Sequence, residues 1–187
     1  MSDVSPSEQP DVRGQSRVPL HTRHIALQGY RRADGLYDVE GHLRDTKSYD
    51  RASHGVFVKA GQPIHEMRLC ITIGVDFVVR DVQVESATVP YVGYCDAIAV
   101  SYGKLKGMKL GAGFMREARS LFGGVNGCTH MTELIGAVAT AAFQTMSEEL
   151  NASAVDRPFQ LDGCHALRTD GAIVKAFHPK WYNADGI

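Results

Sequence analysis

From Ile25 the chain alternates between apolar and polar positions. Ile25 and Leu27 stand between polar neighbours, and Ala33-Asp34-Gly35 supplies turn chemistry. Tyr37, Val39, Gly41 and Leu43 then alternate with Asp38, Glu40, His42 and Arg44. A period of two with one apolar face predicts a half-buried β-hairpin. A second hairpin follows. His65, Met67, Leu69, Ile71 and Ile73 share one face of a strand, Gly74-Val75-Asp76 turns, and Phe77 to Val84 returns. The polar stretch 45–62 between the hairpins predicts a connecting loop.

After Pro90 the period changes. Asp96 to Tyr102 predicts a short helix, and Gly113 to Phe122 a second, closed by Gly123-Gly124. The longest helix is predicted from Thr129 to about 150, because Met131, Leu134, Ile135, Val138, Ala142 and Met146 fall at helical spacing. The part from 155 to 187 reads as irregular. Strands followed by helices predict an α+β fold: a small antiparallel sheet of two hairpins with three helices packed on one face. Residues 1–19 hold three Pro and almost nothing large and apolar, so they predict a disordered N-terminal tail ahead of a single α+β domain over 20–187.

Composition narrows the class of function. The 187 residues carry 20 Lys+Arg against 21 Asp+Glu, a net charge of −1, with 44% hydrophobic residues. Phosphate affinity comes from clustered Lys and Arg, so nucleic acid is excluded as a generic partner. No run approaches the roughly 20 apolar residues of a membrane span, and no apolar signal-peptide core opens the chain. A cytoplasmic protein is expected. Cys70, Cys95, Cys128 and Cys164 are widely spaced with no CxxC pair, which predicts reduced thiols rather than a disulfide framework or zinc knuckles.

The eight histidines carry the candidate chemistry. Gly127-Cys128-Thr129-His130-Met131-Thr132-Glu133 places a thiol, an imidazole and a carboxylate at the start of the longest helix, where free N–H groups favour anions. His130 and Glu133 share a helical face. The plainer alternative is that Thr129 caps the helix, Glu133 complements its dipole and Cys128 is buried. On the polar face of the first hairpin, Glu40 and His42 are same-face neighbours, a pairing that fixes the tautomer of a base, or else they belong to a solvated outer face. His65 opens an apolar face and becomes a site residue if Cys128 or His130 lies opposite. Tyr30, Arg31 and Lys47 are candidate substrate contacts. No glycine-rich phosphate cradle is present, so no nucleotide cofactor is expected.

Two resemblances follow from longer motifs. Leu20-His21-Thr22-Arg23, Gly29-Tyr30-Arg31-Arg32-Ala33-Asp34-Gly35-Leu36, Glu40-Gly41-His42-Leu43-Arg44-Asp45-Thr46-Lys47, Gly127-Cys128-Thr129-His130 and Cys164-His165-Ala166-Leu167-Arg168 resemble a bacterial family catalogued as a domain of unknown function. That likeness implies no activity. Residues 63–146 are similar in order to the iron–sulfur scaffold proteins of the IscU/NifU type, with Cys95 and Cys128 where two of their cysteines fall and His65 near their ligand aspartate. Pro63 stands where their first cysteine would be. The resemblance therefore implies an IscU/NifU-like core and a pocket holding His65, Cys95, Cys128 and His130, a mixed set that suits zinc.

The functional expectation is a small-molecule enzyme, a lyase or hydrolase. It would use His42, Cys128 and His130 for acid–base chemistry, Glu40 and Glu133 to orient the imidazoles, and zinc as an optional cofactor. That expectation requires His42, Cys128 and His130 to line one cavity. The alternatives are a non-catalytic metal or iron–sulfur carrier, and an interaction module without a site. Homo-oligomerisation is left open.

Overall fold

Two strands of 11 residues each, β3 (His21–Arg31) and β4 (Tyr37–Lys47), build the first hairpin around Gly35, whose φ of 84° is the left-handed geometry that glycine adopts freely. A computed structural model describes residues 9–53, 55–152 and 157–185. Before the hairpin, β1 (Gln9–Pro10) pairs with β2 (Ser16–Arg17) in a short ladder. The predicted tail thus contains this ladder, while its first eight residues lie outside the described ones.

The stretch 45–62 is not the loop its polarity predicted. Strand β4 runs on to Lys47, and β5 (Arg51–Ser53) pairs with β6 (Val56–Val58). The β-branched and aromatic run Val56-Phe57-Val58 favours strand geometry within an otherwise polar segment. Strands β7 (Pro63–Ile73) and β8 (Val79–Thr88) complete an antiparallel sheet of order β3-β4-β7-β8. The fold is α+β, a four-stranded antiparallel sheet with a few helices.

Alternation along the strands sets the layers. Tyr37, Val39, Leu43, Met67, Leu69, Ile71 and Ile73 are all buried on one face. Helix α2 (Thr129–Thr145) lies on that face against β3, β4 and β7, burying Met131, Leu134, Ile135, Val138 and Ala142. A Cβ placed on Gly41 would come within 2.7 Å of Val138 and 2.8 Å of Leu134, so the bare glycine is what lets α2 approach so closely. Helix α1 (Phe114–Phe122) packs on α2. The predicted helix at Asp96 to Tyr102 is a 3₁₀ segment, Ala97–Leu105, packed along β8.

Residues Met1–Thr145 form one compact unit and Met146–Ile187 a second. The second unit holds α3 (Ser147–Ala152) and α4 (Ala172–Phe177), so part of the stretch read as irregular is helical. The long helix predicted to about 150 is interrupted between Thr145 and Ser147. Among the described residues no helix is long and apolar enough to cross a membrane.

Candidate metal centre

The apolar face of β4 ends on a carboxylate. Tyr37, Val39, Gly41 and Leu43 occupy its odd positions, and Asp45 is the next in the series, 1% exposed. A buried carboxylate must be paired and hydrogen-bonded. Register supplies the partners: Arg23 of β3 stands opposite on one side and His65 of β7 on the other. Arg23 donates from Nε to Oδ1 at 2.8 Å and from Nη2 to Oδ2 at 2.7 Å, a two-pronged grip. Its remaining nitrogen, Nη1, pairs with Glu133 near the start of α2. His21 Nε2 lies 3.5 Å from Asp45 Oδ1.

Two further imidazoles converge on the other carboxylate oxygen. His65 Nδ1 is 3.2 Å and His130 Nε2 3.5 Å from Asp45 Oδ2. The two rings lie against each other with centroids 3.9 Å apart. One donor atom from each of Asp45, His65 and His130 falls within 4.8 Å of the others, so this cluster can hold a metal ion. A shift of register between Asp45 and Thr46 ends the regular ladder here, as β-bulges do at functional edges.

Electrostatics follow from burial and pairing. Burial pushes the Asp45 carboxyl up, but the hydrogen bonds and charge of Arg23, then His21 and His130, hold it below the usual carboxylate range. His65 is pulled down by burial and by His130, against the opposing effect of Asp45. A neutral imidazole is the form that binds metal.

Cys128 opens α2. Its N–H donates to Tyr102 Oη at 2.8 Å, and its Sγ lies 3.7 Å from His130 Nδ1, on the opposite edge of the ring from Asp45. Burial raises the thiol, while His130 and the N–H groups of Met131 and His130 leave it below its ordinary value. His65, Cys95, Cys128 and His130 line one cavity.

The remaining predicted site residues lie elsewhere. His42 and Glu40 occupy even positions of β4 and face a different cavity, with Gln28, Arg68 and Cys70, on the side of the sheet away from α2. The expectation that His42 shares a cavity with Cys128 and His130 therefore fails by the parity of the strand. The partner of His42 is Glu66, at 2.9 Å, rather than Glu40. Glu133 orients Arg23 rather than an imidazole. Tyr30 and Arg31 end β3 about 24 to 27 Å from Arg23 at strand rise, whereas Lys47 pairs with His21 at the Asp45 end. Asp45, Arg23 and His21 are the residues that sequence reasoning missed. The signal for Asp45 was its odd position, which continues the buried series of β4.

A family model described as Protein of unknown function (DUF2889) matches residues 21–144, a span that contains the whole cluster. No curated protein and no solved structure matches the chain, so the likeness to iron–sulfur scaffolds gains no support from that side.

Proposed function

The chain belongs to the DUF2889 family of proteins of unknown function, and from that premise we propose that it is a small-molecule enzyme, a lyase or hydrolase, acting at Asp45, His65, His130 and Cys128. The observation that carries this reading is the convergence of one carboxylate and two imidazoles, from β4, β7 and α2, beside a cavity. That donor set suits zinc with a further position left for substrate or water. The ion, when bound, would polarise a carbonyl or activate a water.

The chain's own residues supply the rest. Asp45, gripped by Arg23 on one side, presents Oδ2 to the two imidazoles. Glu133 fixes the guanidinium, so the carboxylate is oriented by a second layer of the kind that tunes metal sites. Cys128, beside His130 and open to the same cavity, is placed to move a proton to or from the substrate.

The test is metal content followed by turnover. Protein purified without chelators is expected to hold about one zinc per chain. Asp45→Ala, His65→Ala and His130→Ala should each weaken zinc binding at least about tenfold. Activity in a screen of esters, thioesters and hydroxy acids should disappear on chelation and return with zinc. A wild-type protein that takes up no zinc on dialysis against it overturns the metal reading.

A second reading rests on one further observation. Cys128 Sγ, His130 and Asp45 stand in sequence, at 3.7 Å and then 3.5 Å, in the order of a nucleophile, its base and the group that orients the base. This metal-free hydrolase predicts activity that survives chelation and is lost in Cys128→Ser.

A further inference from the structure

The cavity beside His65 and His130 has a mixed lining. Cys128, Thr129 and the two imidazoles are its polar lining, and Met67, Pro90, Tyr91, Tyr94, Ile98 and Val125 give it large, mainly apolar walls. Among the described residues, none that lines it is Lys, Arg, Asp or Glu. The nearby guanidinium of Arg23 is committed to Asp45 and Glu133.

At this cavity large side chains are left open to solvent. Tyr94 is 83% exposed and Val125 99%. Neighbouring exposed apolar groups around a concave site mark a surface that a ligand covers. A charged group lying along these walls, away from the imidazoles, would meet no countercharge from their side chains. A ring or branched aliphatic group would bury apolar area against Tyr94, Val125 and Ile98.

We infer that the site takes a substrate with an aromatic or branched aliphatic body and one small polar head, a carbonyl or carboxylate, directed at His65 and His130. The position of the head rests on the metal reading above; the preference for the body does not.

The test compares two probes with one metal-binding head. Full-length zinc-loaded protein is titrated with acetohydroxamate and benzohydroxamate, with zinc content measured in parallel by mass spectrometry. Benzohydroxamate is expected to bind at least about tenfold more tightly, since it alone covers the apolar walls. The double variant Tyr94→Ser/Val125→Ser, altered only at exposed positions, should reduce that ratio to about threefold or less and leave acetohydroxamate unaffected. Equal affinities in the wild type, or a ratio unchanged in the variant, overturn the inference. Metal-free protein is also examined with p-cresol by saturation-transfer NMR. If zinc fails to bind but p-cresol contacts disappear in the double variant, the apolar wall stands and only the metal reading falls. If p-cresol shows no contact in the wild type, the inference falls independently of zinc.

Discussion

Arg23 holds both carboxylate oxygens of Asp45, at 2.8 and 2.7 Å, across the β3–β4 ladder, with the carboxylate 1% exposed. Removing Arg23 leaves a buried carboxylate with only imidazoles for partners. Arg23→Met is therefore expected to destabilise the protein by about 3 kcal/mol, and Arg23→Met/Asp45→Leu by clearly less than the sum of the single variants. Urea unfolding with a chelator present, which keeps metal linkage out of the comparison, measures the cycle. Additive effects would show that Arg23 and Asp45 do not depend on each other.

Gly41 controls how closely α2 sits on the sheet. Its added methyl would lie 2.7 Å from Val138 and 2.8 Å from Leu134, inside van der Waals contact. Gly41→Ala is expected to cost about 1–3 kcal/mol by overpacking. The same helix carries His130, so the variant should also weaken zinc binding. Gly41→Ala/Val138→Ala, which makes room for the methyl, should recover part of both losses in thermal unfolding and metal titration.

The cysteines are expected to separate by reactivity. Burial, followed by the carboxylates of Asp38, Glu40 and Asp81, pushes the Cys70 thiol up to about 11, whereas Cys164 is exposed. The sign is direct: a raised pKa means less thiolate at a given pH. At pH 8 Cys70 should react with iodoacetamide at least about tenfold more slowly than Cys164, and the gap should close as the pH approaches 11. Peptide mapping after timed alkylation reads both sites.

Much of this fold is legible in local periodicity. The odd positions from Tyr37 to Leu43, the series Met67 to Ile73 and the helical series of α2 all bury the residues that their spacing predicts. The candidate site is less legible because its partners are distant in sequence. Asp45 opens the polar run Asp45-Thr46-Lys47 that reads as the start of a loop, and only strand pairing sets Arg23 and His65 beside it. His42 shows the converse. Alternation offers it Glu40 on its own strand, but Glu66 lies diagonally across the ladder, where cross-strand pairs interact. The β5–β6 ladder is hidden for the same reason, because three residues per strand carry little periodic signal.

The two faces of the sheet also make His42 a test of how far the site extends. Its Nε2 pairs with Glu66 at 2.9 Å, and both side chains are partly open to solvent, at 32% and 22%. Exposed pairs of this kind contribute about 0–1 kcal/mol, so His42→Ala should change stability by no more than that. Even positions of β4 point away from α2, and no atom of His42 belongs to the group formed by Asp45, His65 and His130. Zinc affinity in His42→Ala should stay within about twofold of wild type, against the loss of at least about tenfold expected for His65→Ala. The same contrast should hold for turnover once a substrate is found. If His42→Ala abolishes turnover while folding and zinc binding persist, the chemistry extends to the far face of the sheet. A site confined to the junction of β4, β7 and α2 would then be wrong.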